Sequence, residues 1–354
     1  MLQSPTLDDT RRHWIAVWLF VVAAMIFIIV VLGGLTRLTH SGLSMVEWKP
    51  ITGWLPPLSE AEWEETFAKY RQYPEYQEIN KGMTLTEFKG IFWLEFIHRV
   101  WGRIIGIAFF LPFVFFLAKR WVSGPLVRHL SVIFVLGGLQ GGLGWFMVKS
   151  GLVDRPDVSQ YRLAAHLCLA LVIFAYIMWV ALRLKFPVLH SVPAGLRNGA
   201  NGLIALIFVT IFSGALVAGL DAGLVYNTFP LMDGDLIPEG LFDQTPLLAN
   251  FFENIITVQF EHRVLAILTL VLVLYYVFRL HQADPAPSVR KAATALGAMA
   301  VVQVLLGITT LLLVVPVSVA AIHQAGAVVL LGFAVWVRAA MEDGAPSETE
   351  AGTT

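Results

Sequence analysis

The chain has 354 residues, 57% of them apolar and 14% charged, with a formal net charge of −1. A soluble domain carries roughly 25% charged residues, so a soluble globular protein is excluded, and the near-neutral balance gives no electrostatic footprint for nucleic acid. The single cysteine, Cys168, excludes an internal disulfide and any centre built from several thiolates.

Apolar runs long enough to cross a bilayer are predicted at about 14–34, 90–118, 130–148, 163–182, 201–220, 256–278, 292–315 and 319–338. The run from Trp14 is too long for a signal peptide and lacks a cleavage signature, so it reads as a retained first span. Thr84-Leu85-Thr86-Glu87 is a capping-box pattern, which starts the second helix ahead of the bilayer. Arg11, Arg12, Lys119, Arg120, Arg128, Arg183, Lys185, Arg197, Arg279, Arg290 and Lys291 fall on one side. The connection from Asp221 to Gln259 holds no Lys or Arg. The positive-inside rule therefore puts both termini in the cytoplasm and the two longest connections, about 35–89 and 221–255, outside.

The halves repeat. Ser41-Gly42-Leu43 after the first span matches Ala222-Gly223-Leu224 after the fifth, and Trp54-Leu55-Pro56 loosely matches Leu236-Ile237-Pro238. An even number of spans separates the copies, so they share one orientation. The expected fold is all-α integral membrane: eight transmembrane helices as two pseudo-symmetric four-helix bundles. Its divisions are a cytoplasmic N-terminus (1–13), an N-terminal module (14–185), a cytoplasmic linker (186–200), a C-terminal module (201–338) and an acidic disordered tail (339–354).

Each half carries a His-Arg pair at the head of a span, His98-Arg99 and His262-Arg263, and one histidine a hairpin later, His166 and His323. His98 lies 21 residues before Lys119, His166 17 before Arg183, His262 17 before Arg279 and His323 15 before Arg338. At ~1.5 Å per residue they sit roughly 23–31 Å from the inner boundary of a ~30 Å core, toward the outer face. An ionisable group inside a span needs a partner and is a functional hypothesis by default. Zinc wants three or four ligands; a copper pair is conceivable. Haem fits better, with one axial histidine from each of two facing helices and arginines for its propionates. Arg99, Arg103 and Arg263 are placed for that role, and snorkelling to the interface is the alternative. Gly102, Gly106, Gly137, Gly138, Gly141, Gly142, Gly144 and Gly326 would admit a flat macrocycle or, equally, a packed helix.

The two copies differ three residues before the first histidine, where Glu95 faces Gln259. Side chains at i and i+3 share a helix face. A carboxyl in an apolar outer site is suited to proton transfer, and glutamine is not. The first half is therefore expected to be reactive and the second to serve electron transfer or structure. Glu261, beside His262, points to another face and reads as structural, as does Cys168.

These residues resemble the haem A synthase family, in its larger bacterial and mitochondrial group. The resemblance is carried by Gly33-Gly34-Leu35-Thr36-Arg37-Leu38-Thr39, Ser41-Gly42-Leu43-Ser44-Met45, Glu47-Trp48-Lys49-Pro50, Gly53-Trp54-Leu55-Pro56-Pro57, Glu95-Phe96-Ile97-His98-Arg99 and the three later histidine helices. It spans nearly the whole chain, Trp14 to about Arg338. It implies oxidation of a methyl group of haem O to the formyl group of haem A by successive hydroxylations, for cytochrome oxidase biogenesis. It also implies that His262 and His323 ligate the iron of a resident haem b. By the same resemblance His98 and His166 frame the substrate haem, Glu95 is essential to the chemistry, and Arg37 joins the propionate candidates. Implied partners are haem O synthase, an electron acceptor, oxidase assembly factors and the lipid bilayer of a bacterial inner membrane; a homo-oligomer is compatible with the sequence. Some relatives carry a cysteine pair in the first outer loop, and this chain has none there.

Two rivals remain at this stage. A non-catalytic dihaem cytochrome b predicts two similar, stable haems and indifference to Glu95→Gln. A haem chaperone or transporter predicts loosely held haem, released unchanged.

Overall fold

A computed structural model of the chain describes residues 8–48, 52–151, 158–186 and 190–342. The helices are α1 (Asp9–Leu38), α2 (Glu60–Tyr70), α3 (Leu85–Ala118), α4 (Gly124–Gly151), α5 (Gln160–Lys185), α6 (Ala194–Gly219), α7 (Asn250–Glu253), α8 (Ile255–Gln282), α9 (Pro287–Leu312) and α10 (Val317–Ala339). All except α2 and α7 are long and apolar enough to cross a membrane, so the described residues hold eight spans as expected, and the protein is an all-α, multi-pass membrane protein. At ~1.5 Å per residue these helices run about 34–51 Å, more than a ~30 Å apolar layer requires.

The surplus length lies at the ends, where the helix caps rather than hydropathy set the limits. The Asp8 side chain accepts from Arg11 N–H at 2.8 Å, which begins α1 ahead of the expected span. Thr84 and Glu87 form the expected capping box at the head of α3. The α6 helix reaches back to Ala194, into the stretch expected as linker. At the seventh span the expected limit of 315 is too late: α9 ends at Leu312, and Val314 and Val315 turn the chain with φ of 60° and 54°. Nor is the tail free from residue 339 onward. Met341 is fully buried, its carbonyl accepts from Arg183 at 3.0 Å, and His190 N–H donates to Ala340 O at 3.1 Å. The expected disorder of 343–354 lies outside the described residues.

The bundle is built around α1, α5 and α10. Ile15 and Leu19 of α1, Leu171 and Ile177 of α5, and Val328 and Leu331 of α10 are buried in one core. The outer helices turn apolar side chains outward, such as Leu111 on α3 and Val135 and Leu139 on α4, which suits contact with lipid. In lipid there is little hydrophobic drive between helices, so close approach and polar contacts join them. One such contact ties α10 to α1: Gln324 donates to Val30 O at 3.0 Å. A Cβ at Gly34 would come within 1.7 Å of the Gln324 amide oxygen, so any larger residue there would displace the Gln324 side chain from its place between the helices.

The two long connections close one end of the bundle. In the first, Trp63, Phe67 and Tyr70 of α2 pack on Phe88, Phe92 and Phe96 of α3. In the second, buried Asn250 and Asn254 bind Gln244 O, Leu247 O and Gly240 O, and Asn254 caps α8.

Candidate functional site: two histidine pairs and a carboxylate clamp

His98 on α3 and His166 on α5 lie within electrostatic reach of one another, as do His262 on α8 and His323 on α10. None of the four is fully buried, although all lie within spans. Each ring rests against a glycine of a neighbouring helix. A Cβ at Gly33 would stand 3.5 Å from His98, at Gly144 3.0 Å from His166, at Gly214 2.9 Å from His262 and at Gly307 2.9 Å from His323. Among the described residues no three His, Cys, Asp or Glu side chains converge on one point. Two imidazoles from different helices within electrostatic reach of one another, with a glycine backing each ring, form a donor set that fits a haem iron.

The ring nitrogens are oriented unequally. Ser213 Oγ donates to Thr210 O at 2.8 Å and lies 2.8 Å from His262 Nδ1. With its hydrogen committed, the serine oxygen accepts from Nδ1–H, which leaves Nε2 as the nitrogen with a lone pair. Ser213 stands 181 positions after Leu32 (213 − 32), so the first half offers no hydroxyl there. Among the described residues nothing hydrogen-bonds the His98 ring. The later histidines are treated alike: Gln140 donates to His166 O at 3.0 Å, and Gln303 donates to His323 O at 2.9 Å. Each glutamine stands four residues before the glycine that backs the same ring.

Glu95 is buried, and its carboxylate is clamped. Oε2 accepts from Ser44 Oγ at 2.6 Å and from Met45 N–H at 2.7 Å, while Oε1 pairs with Arg99. Arg99 also donates to Met45 O at 2.8 Å and Glu47 O at 3.1 Å, and its guanidinium lies over Trp48. The second half repeats this frame with the polarity of one member reversed. Gln259 donates to Ala222 O at 2.7 Å and Tyr226 O at 3.3 Å. Arg263 bonds Gln259 Oε1 at 3.1 Å, Tyr226 O at 2.8 Å and Thr228 O at 2.8 Å. Met45 and Tyr226, like Glu47 and Thr228, are 181 positions apart (226 − 45; 228 − 47), the same interval that separates Gly33 from Gly214. The loop thus presents donors to a carboxylate in one copy and carbonyls to an amide in the other.

The arginines expected at propionates are largely occupied by the protein. Arg99 and Arg263 hold loop carbonyls, each keeping one buried Nε–H with no partner among the described residues. Arg37 pairs with Asp221 at 2.9 Å, linking the end of α1 to the second long connection. The Arg103 guanidinium lies over Trp54. Lys49 lies outside the described residues. Of the glycines expected near the pairs, only Gly144 touches a histidine ring; Gly102 faces Ile29, Gly326 faces Gln303, and Gly106, Gly137, Gly138, Gly141 and Gly142 have no atom within 4 Å of a Cβ. Sequence reasoning missed Gly33, Gly214, Gly307, Ser213, Gln140, Gln303 and the role of Ser44. A signal existed for some: Gln-x-x-x-Gly recurs at 140–144 and 303–307, ahead of the last histidine of each half.

A family model described as cytochrome oxidase assembly protein, COX15-CtaA, matches residues 16–335. The chain belongs to this family. It is 54% identical over 327 residues to the haem A synthase of Nitrosospira multiformis, covering 91% of this chain and 92% of that protein. Its identity to the haem A synthase of Parvibaculum lavamentivorans is 54% over 328 residues, 93% and 94% of the two chains. To that of Nitrosomonas eutropha it is 51% over 334 residues, 93% and 94%.

Proposed function

We propose that this chain is a haem A synthase, an oxidoreductase that converts a methyl group of haem O to the formyl group of haem A by successive hydroxylations. The observation that carries the reading is a repeated frame with one chemical difference. Both halves present a glycine-backed histidine pair, and only the first sets a clamped carboxylate beside it.

In this reading the chain divides into a substrate module ending near Lys185 and a cofactor module from Ala194 to Ala339. His262 and His323 hold a resident haem b, and Ser213 orients His262 to ligate through Nε2. When bound, such a haem supplies a one-electron iron couple. His98 and His166 frame substrate haem O. Glu95, one helical turn before His98, holds or accepts a proton at Oε2, and Arg99 fixes Oε1. The unmatched Nε–H groups of Arg99 and Arg263 are donors for propionates. The long-loop end faces outward from a bacterial inner membrane in this reading, with both termini cytoplasmic, which the absence of Lys and Arg from Asp221 to Gln259 supports. Haem O synthase, an electron acceptor and oxidase assembly factors are the partners this chemistry calls for.

The test is expression in a host that makes haem O but lacks its own synthase, followed by haem extraction and chromatography with mass detection. Haem A is expected from the wild type and not from Glu95→Ala, with equal haem b in both. A folded wild type carrying haem b with haem O and no haem A, in the presence of an electron acceptor, would favour a dihaem electron carrier instead.

A further inference from the structure

The first half opens a cleft of about 650 Å³ at the long-loop end, and helix periodicity places it over one of the four histidines. Glu87, Ile91 and Leu94 of α3 line the cleft, and His98 continues their spacing of four, three and four residues. Residues so spaced share one helix face. The cleft therefore stands above His98, with Leu94 about one turn, ~6 Å, nearer the loops. The facing wall comes from α1. Thr39 ends that helix, six residues (39 − 33) beyond the Gly33 that backs the His98 ring. The cleft is the loop-side mouth of the wedge between α1 and α3 that holds His98.

The matching place in the second half is closed. Thr39 and Ser41 correspond to Leu220 and Ala222, 181 positions on. Leu94 corresponds to Val258, 164 positions on, the interval that separates Glu95 from Gln259. Val258 is fully buried, and Leu220 and Phe252 belong to the apolar cluster packed around it. Ala222 is fully buried as well, whereas Leu94 is partly exposed and faces the cleft. One repeat position is thus an open, partly polar mouth in one copy and a filled apolar seam in the other.

The cleft offers a ligand an apolar side, from Met83, Ile91 and Leu94, and one available cation, Lys81, at its rim. Met83 N–H donates to Asn80 O at 3.0 Å across a turn in which Gly82 has φ of 92°, a conformation suited to glycine. Lys81 stands at the corner of that turn, exposed, with no hydrogen-bond or ion-pair partner among the described residues. The other polar groups are engaged. Glu87 Oε2 accepts from Thr84 N–H and Oγ1, each at 2.8 Å. Thr39 Oγ1 donates to Leu35 O at 2.8 Å and lies 2.6 Å from Ser41 Oγ. The nearby arginines are engaged too: Arg99 holds Glu95 and two loop carbonyls, and Arg37 holds Asp221.

We propose that this cleft receives the carboxylate edge of the substrate haem, and that Lys81 pairs with one of its propionates. The proposal rests on the synthase reading for its substrate and adds to it the site that orients that substrate. A haem framed by His98 and His166 has one ionised edge, and ionised groups are costly in the apolar layer. That edge turns toward the long-loop end, where the cleft lies one helical turn above His98. An ammonium and a carboxylate form a charge-assisted hydrogen bond. An open mouth with an unspent cation suits a ligand that enters and leaves, and the filled seam above His262 suits one that stays.

The test is a binding measurement that needs no turnover. Full-length protein carrying its resident haem b, in detergent, is titrated with haemin (ferric protoporphyrin IX) and with haemin dimethyl ester, which keeps ring and iron but has no ionised carboxylate. Binding at the first site is the Soret change that His98→Ala removes. Lys81→Ala is expected to weaken haemin binding about tenfold, the lower end for a hydrogen bond to a charged group. Lys81→Arg should stay within about threefold of wild type, and both variants should bind the dimethyl ester as wild type does. Wild-type affinity for haemin in Lys81→Ala overturns the proposal. So does an equal loss for haemin and its ester, which marks a structural effect of the turn. Phospholipid retained by the purified protein is counted by mass spectrometry in parallel. A phospholipid lost in Lys81→Ala, and not displaced by haemin from the wild type, assigns the cleft to a lipid phosphate and overturns the proposal as well. Haemin binding by the wild type with no dependence on His98 removes the first haem site and the proposal with it. Haem A formation decides the synthase reading separately: a wild type that makes none, yet binds haemin with the expected dependence on Lys81, sinks the synthase and leaves the carboxylate site standing.

Discussion

His98 and His262 occupy matching places on matching helices, each one turn below an anchor residue that binds an incoming loop, yet their surroundings are set for different tasks. His262 has a hydroxyl on Nδ1 and an amide anchor that carries no proton. His98 has no hydrogen bond to its ring among the described residues, and its anchor is a carboxylate. A hydroxyl bonded to the far ring nitrogen of a ligating histidine fixes its tautomer and raises metal affinity. The comparison teaches that one backbone frame can carry two different polar surroundings, which on the proposed reading suit a permanently held group in one copy and an exchanging one in the other. The difference needs no change of fold, only a serine for Leu32, a glutamine for Glu95 and a reversal of donors and acceptors in one loop.

The comparison breaks most sharply at the histidines. His262→Ala or His323→Ala is expected to abolish the resident haem b absorbance of the purified protein, whereas His98→Ala leaves that absorbance near wild type and abolishes haem A formation. Equal loss of resident haem from both halves would remove the distinction. Next comes the anchor: Glu95→Ala should lower haem A formation by about 10²-fold or more, the range of a lost general acid–base group, with Gln259→Ala far milder when haem A is measured per haem b.

Two further tests sharpen the contrast. Ser213→Ala is expected to weaken retention of haem b by roughly 10-fold, the lower end of what losing a hydrogen bond to a ligating histidine costs, seen by haem transfer to an apo-acceptor; Leu32→Ser would be the converse substitution in the first half. A methyl group at Gly307 would meet His323 at 2.9 Å and one at Gly33 would meet His98 at 3.5 Å. Gly307→Ala should therefore displace its ring and broaden the haem b spectrum, while Gly33→Ala stays close to wild type. The smallest effect is expected between the halves: Asp221→Ala leaves Arg37 unpaired but the pair is partly exposed, so the change should be about 1 kcal/mol or less in thermal unfolding.

Hydropathy made the spans legible because a bilayer demands long apolar runs whatever the helices touch. Their ends were less legible, since caps and turns answer to local side chains: Asp8 extends α1, while Val314 and Val315 stop α9 within an apolar stretch. The four histidines were legible for a related reason, as polar groups stand out against an apolar background. So was the contrast between Glu95 and Gln259, two residues at one repeat position.

The sequence by itself determined the class, the eight spans, the repeat and the positions of the four membrane histidines, because composition and period are properties of the chain alone. Only the tertiary structure decided how those residues are supported. The glycines behind each ring act through helices that are far apart in sequence; Gly33 and His98 are 65 residues apart (98 − 33). The clamp on Glu95 uses a main-chain N–H, which every residue but proline carries and which no sequence pattern marks. Arginines that read as free for a ligand proved to hold loop carbonyls, because a buried guanidinium binds whatever acceptors the fold brings within reach.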